Sequence, residues 1–137
     1  MKRHAQIVWK GTGKEGNSQV TTESKSLNGV DFNYKSRFEN GPGTNPEELL
    51  AAAHASCFTM KVAFLVNAKG CTADELSTTC EITMENGAIS ASHLKLHAKI
   101  PGISQEDFDA VVKESKENCM VTKLYNLTTT CEAVLVN

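Results

Sequence analysis

The sequence predicts an α+β protein with the element order β-β-β-α-β-β-α-(α)-β, and three observations carry that reading. Short strand-like runs separated by turn signals fill the first forty residues. A long run from Leu49 to Val66 is apolar or small on almost every side, and a strand pair, an amphipathic helix and a closing strand follow it. At 137 residues the chain suits one domain with a real hydrophobic core, so residues 1–137 are expected to form a single unit.

The runs "AQIVWK", "SQVTTES" and "FNYKSRF" read as three antiparallel strands, divided by "GTGKEGN" and by "LNGV" with its hairpin-favouring Asn-Gly pair. "ENGPGTN" cannot continue a strand and leads into a helix. Asn45 is a good N-cap, Pro46 fits the first helical position, and Glu47 and Glu48 put negative charge at the positive end of the macrodipole. A helix that is hydrophobic all round belongs in an interior, so this one is expected at the centre of the protein. Leu50, Ala53, His54, Cys57, Met60, Lys61 and Phe64 fall on one side of it. Ala52, Ser56, Thr59 and Ala63 form a small-residue stripe on another.

Gly70 reads as the C-cap of this helix, and the next two strands join near Asn86-Gly87. Ser104 with Asp107 opens an amphipathic helix carrying Phe108, Val111, Val112 and Ser115 at helical spacing. "CMVTKLYN" is long enough for one or two helical turns, and "LTTTCEAVLVN" reads as the final strand.

Composition narrows the function. Fourteen basic and sixteen acidic residues are interspersed to a net charge of −2, with no basic face for nucleic acid or an anionic membrane. A small neutral or apolar partner is easier to accommodate. The N-terminus lacks the apolar core of a secretory signal, so the protein is expected in the cytoplasm. Leu49 to Val66 has the length of a membrane span but contains His54, Ser56, Thr59 and Lys61. Five cysteines without an export signal imply reduced thiols. His54-x-x-Cys57 offers only two ligands where a closed zinc site wants four, so the sequence gives a metal site little support.

Cys71, Cys80 and Cys131 read as ordinary buried cysteines. Cys57 and Cys119 differ because residues able to alter a thiol's ionisation stand near them in sequence. A cysteine of pKa about 8.5 is only about 3% thiolate at pH 7, and a guanidinium such as that of Arg37 lowering it by about two units raises the reactive form roughly 25-fold. The bland alternative makes Arg37 a surface residue and Glu47 a helix cap. Glu47 and Cys57 are separated by a helical rise of about 15 Å, so a shared site requires a long bridging arginine or a second subunit. A symmetric dimer with two equivalent sites near the subunit boundary is therefore expected. His54 is either a partner for the thiol or a satisfied core histidine, and Lys61 either electrostatic help or a packed stem.

"SRFENGPGTNPEELLAAAHASCF", from Ser36 to Phe58, together with the second cysteine in "ENCMV" and the element order, resembles the OsmC/Ohr family of thiol-dependent hydroperoxide reductases. The Ala-His-Ala-Ser-Cys-Phe ending is similar to the OsmC branch. The resemblance implies an intertwined α+β homodimer, with antiparallel sheets around a long buried central helix. It implies that Cys57 is the peroxidatic thiol, that Cys119 is its resolving partner through a disulfide, and that Arg37 and Glu47 activate the thiolate and orient the peroxide. Organic hydroperoxides, and hydrogen peroxide as a second candidate, would be reduced to alcohols. An external dithiol, lipoyl-type by the same resemblance, would restore the enzyme without a cofactor. Met120 departs from the proline that commonly follows the second cysteine. Phe58, Phe38 and Met60 are candidates to line the pocket. Two rivals stand beside this reading: a non-catalytic module holding a hydrophobic small molecule, and a cysteine hydrolase pairing Cys57 with His54.

Overall fold

The structure is a computed structural model describing residues 1–137. Its backbone contacts divide the chain into two compact units, Met1–Leu49 and Leu50–Asn137.

In the first unit, β1 (Ala5–Lys10), β2 (Asn17–Thr22) and β3 (Val30–Asn33) form the expected antiparallel sheet in sequential order. The β2–β3 connection is wider than a tight Asn-Gly hairpin. Hydroxyls take over there: Thr22 Oγ1 accepts from the Leu27 amide at 3.1 Å, and the Ser24 and Ser26 hydroxyls bond at 2.8 Å. The third strand also stops earlier than expected, because Asn33 and Ser36 form a reciprocal capping box. The Ser36 amide donates to Asn33 Oδ1 and the Asn33 amide to Ser36 Oγ, both at 3.0 Å. These local bonds turn Tyr34–Phe38 into a short helix, α1, so Arg37 stands on a helix and not on a strand.

The loop after α1 is pinned to β3 by the Thr44 amide, which donates to the Asp31 carbonyl at 2.8 Å. Gly43 makes that approach possible. Its φ is +113°, and a Cβ there would lie 2.3 Å from the Asp31 oxygen. Asn45 then caps α2 (Pro46–Ala68) as expected, its Oδ1 accepting from the Glu48 amide at 2.8 Å.

In the second unit α2 ends in a Schellman-type turn: Gly70 has φ +76°, and the Cys71 amide donates to the Val66 carbonyl. β4 (Glu75–Glu85) and β5 (Ala88–Lys99) pair antiparallel through a turn in which Asn86 and Gly87 both have positive φ. α3 (Gln105–Asn118), capped by Ser104, and α4 (Met120–Leu124) then carry the chain back to β6 (Thr128–Leu135). That helical crossover makes β6 run parallel to β5, so this sheet is mixed and not wholly antiparallel. The parenthesised helix of the sequence reading is real, and α1 is an addition to it.

Phe58, Val62 and Val66 of α2 pack with Leu94, Leu96 and Ala98 of β5 and with Phe108 and Val111 of α3. Of the small stripe of α2, Thr59 meets β4, where its hydroxyl and that of Thr78 bond at 2.6 Å, while Ala52 and Ser56 are exposed. Although α2 is long and apolar enough to cross a membrane, its His54-Phe58-Val62-Val66 row is buried in protein. The expected all-round burial differs in the single chain, where Met60 is 63% and Phe64 67% exposed. Phe58→Ala should lower unfolding stability by about 3–5 kcal/mol, read as a reduced urea midpoint at unchanged m-value. A loss below about 1 kcal/mol would show that the Phe58 site does not anchor this core.

Candidate active site

The candidate residues form two pairs, one in each compact unit. In the first unit, the capping box that ends β3 sets Arg37 on α1, and the Asn45 cap sets Glu47 in the first turn of α2. Arg37 Nη2 donates to Glu47 Oε1 at 2.7 Å. Its Nε donates to Oε1 at 3.1 Å and to Oε2 at 3.3 Å. This fork-on-carboxylate geometry fixes the guanidinium plane as a lysine could not. The Phe38 ring adds a cation–π contact, with its centroid 5.0 Å from Arg37 Cζ. Glu47 is well covered while Arg37 remains about a third exposed, so one side of the cation is open to solvent.

In the second unit, Cys57 of α2 and Cys119, between α3 and α4, meet at one cleft and act on each other's ionisation. The two thiols are unequal. Burial raises the pKa of Cys57, but the Cys119 S–H and the Val121 and Met120 amides act on its sulfur and bring it below the ordinary cysteine value. Cys119 is only 1% exposed. Burial raises its pKa, and donating to Cys57 raises it further, against the Thr122 amide and hydroxyl that lower it. Cys57 is thus the more acidic thiol of the pair and Cys119 the less acidic.

Both cysteines line a cleft of about 290 Å³ whose other walls are Met60, Phe64, Met120, Lys61 and Asn118. Its exposed lining is mainly apolar, which suits an organic ligand. Met60 takes the lining place expected of it. Phe58 turns into the core at 0% exposure instead, because it lies about 100° further around α2 than Cys57. Phe38 belongs to the Arg37 pair in the first unit. A larger hollow, of about 500 Å³ beside His4, Thr21 and Glu23, contains no cysteine.

His54 is fully buried, and both its ring nitrogens are engaged, Nδ1 with Ser92 Oγ at 2.7 Å and Nε2 with Thr122 Oγ1 at 2.8 Å. Neither nitrogen is left to deprotonate Cys57. Cys71, Cys80 and Cys131 pack against the core, and burial raises the pKa of Cys80 and Cys131. Pattern reading missed the Met120 and Val121 amides, Thr122 and Ser92. The short "CMVTKL" turn hinted at Thr122, three residues past a helix start, but its imidazole partner is 68 residues away in sequence.

A thiolate below the ordinary range has a reactivity that falls as pH drops through its lowered pKa. Cys57 should therefore alkylate faster than the other four cysteines at pH 7, measured by iodoacetamide labelling and peptide mass spectrometry. Cys119→Ala removes a donor to the sulfur and should move the pH midpoint of Cys57 labelling upward. An unmoved midpoint would sink the assigned donor role.

The geometry can be set beside known proteins. The Escherichia coli (strain K12) protein named Peroxiredoxin OsmC is 35% identical over 126 residues, which cover 89% of this chain and 88% of that one. A Staphylococcus epidermidis protein, Organic hydroperoxide resistance protein-like 1, is 28% identical over 88 residues, 61% of this chain and 63% of its own. Among solved structures, an OsmC-like protein from Vibrio cholerae superposes with a TM-score of 0.77 at 13% identity, covering 98% of this chain and 99% of that one. The Legionella pneumophila organic hydroperoxide resistance protein OsmC gives 0.71 at 24% identity, with 99% and 98% covered. These structural likenesses speak for the shared α+β fold. The family profile described as OsmC-like protein matches residues 39–133, and with the Escherichia coli relative it establishes that this chain belongs to the OsmC family.

Proposed function

We propose that this chain is a thiol peroxidase that reduces organic hydroperoxides, and hydrogen peroxide less readily, to alcohols or water. The observation that carries the reading is the unequal Cys57–Cys119 pair in an apolar cleft. The names of its relatives, a peroxiredoxin and an organic hydroperoxide resistance protein, support it.

In the proposed reaction the Cys57 thiolate attacks the distal oxygen of ROOH. The O–O bond breaks, ROH leaves with a proton from solvent, and Cys57 sulfenic acid remains. Arg37, held in plane by Glu47, is the proposed cation for the thiolate and for the charge growing on the leaving oxygen. Cys119 then condenses with the sulfenic acid, releasing water and forming the disulfide. An external dithiol of the lipoyl type reduces that disulfide by exchange.

The proposed working form is a cytoplasmic C2 homodimer in which the two units of each chain belong to one OsmC-like domain. Two exposed apolar surfaces support a dimer: Met60 and Phe64 on α2, and Ile7 and Val8 on β1. Sedimentation should give twice the chain mass. A monomer at micromolar concentration would remove the two-subunit site from the proposal.

One equivalent of cumene hydroperoxide should consume two thiols per chain and yield a Cys57–Cys119 link in non-reducing mass spectrometry. Unchanged thiols would favour a non-catalytic binding module. Cys119→Ser should still oxidise at Cys57 but lose turnover, whereas a Cys57 hydrolase would be indifferent to that change. Arg37→Met should slow peroxide consumption by about 100-fold or more if its cation stabilises the transition state.

A further inference from the structure

Thiols aside, the cleft beside Cys57 has a one-sided polar lining. Met60, Phe64 and Met120 give it an apolar wall, and the polar side chains that reach it are those of Lys61 and Asn118. Lys61 stands one turn past Cys57 on α2, so the two Cβ atoms are about 5–6 Å apart. Its ammonium offers three hydrogens and no lone pair. Lys69, Lys95 and Lys99 each find a carboxylate, with Asp107, Glu81 and Asp74, but Lys61 has neither a carboxylate nor a hydrogen-bond acceptor in the chain.

Asn118 adds a second donor of the same kind. Lys123 Nζ donates to its Oδ1 at 3.1 Å, and because an ammonium can only donate, the amide oxygen is the atom that must face it. The Asn118 Nδ2 group keeps its hydrogens free of any acceptor in the chain, and the Lys123 charge on the far side of the amide polarises them. No aspartate or glutamate lines the cleft. Both polar side chains therefore present hydrogens and neither presents a lone pair. A neutral hydroperoxide uses only part of such a set, since it has a hydrogen of its own to donate. A carboxylate is acceptor-only and brings the countercharge that Lys61 lacks. The field of the whole molecule does not supply this attraction, because the net charge of −2 disfavours anions.

We propose that Lys61, assisted by Asn118, selects organic hydroperoxides that carry a carboxylate on an apolar body. The body lies along Met60, Phe64 and Met120, and the ammonium holds the carboxylate. The proposal names the substrate class of the peroxidase reading and rests on it. The carboxylate takes no part in the bond changes: the O–O bond breaks as before, and the group leaves intact on the alcohol.

Two probes of one shape test it on the intact chain, the para-carboxylate of cumene hydroperoxide and the methyl ester of that acid. At low ionic strength the carboxylate should oxidise Cys57 about fivefold faster than the ester, the upper range for an ion pair within reach of solvent. In the wild-type protein that ratio should fall toward one in about 0.5 M salt. Lys61→Gln should bring the ratio to one and Lys61→Arg should keep it above one. A wild-type ratio of one, as when a carboxylate of a second copy neutralises Lys61, would overturn the proposal, and so would a ratio that survives Lys61→Gln. Binding separates this proposal from the peroxidase reading. The alcohol product of the carboxylate probe should shield Cys57 from iodoacetamide better than that of the ester, and Lys61→Gln should erase the difference. Such shielding without oxidation of Cys57 by either hydroperoxide strikes the peroxidase reading, while equal shielding by the two alcohols strikes the selection by Lys61.

Discussion

The packing of Phe58, Val62 and Val66 against β5 and α3 is the contact on which the rest of the second unit depends. It fixes the rotation of α2 about its axis. With Phe58 locked in the core, the preceding residue falls at the core's margin, half-covered and facing the cleft. The next buried position toward the N-terminus is His54, whose polar ring enters the interior only because Ser92 and Thr122 receive both nitrogens. A rotation of α2 by one residue would expose Phe58 and bury Cys57 among apolar side chains. The thiol would then sit where burial raises its pKa, with none of the donors that lower it.

The break between α3 and α4 completes that arrangement. Cys119 ends one helix and begins the next with extended backbone, at φ −64° and ψ 127°. The bend places a buried thiol and the first amides of α4 around the Cys57 sulfur. Met120 stands immediately after this bend, and as a non-proline residue it retains an N–H for that sulfur. The same turn holds Thr122, so α4 serves both cysteines although it is only five residues long.

In the first unit, two helix starts separated by a pinned loop bring Arg37 and Glu47 together. Asn33 with Ser36 begins α1, Asn45 begins α2, and Gly43 permits the loop to press against β3. The pairing makes sense of an acidic residue that helix capping alone would explain. Glu47 interacts favourably with the helix terminus and also holds a guanidinium in a defined plane.

Local chemistry by itself determined the strand runs, the Asn45 helix start, the Gly70 stop, the Asn86-Gly87 turn and the Ser104 cap, because each depends on neighbours within a few residues. The family likeness of Ser36 to Phe58 was legible too, and with it the candidate quartet of Arg37, Glu47, Cys57 and Cys119. Three features needed the tertiary structure. The strand reading through Phe38 yielded to a capping box whose strength depends on exact side-chain placement. The parallel run of β6 follows from where the α3–α4 crossover returns the chain, and periodicity carries no such direction. The roles of the polar residues were decided last. Which thiol of the cleft is the more acidic, and which groups surround His54, depends on contacts such as that of His54 with Thr122, 68 positions away, which no local pattern records.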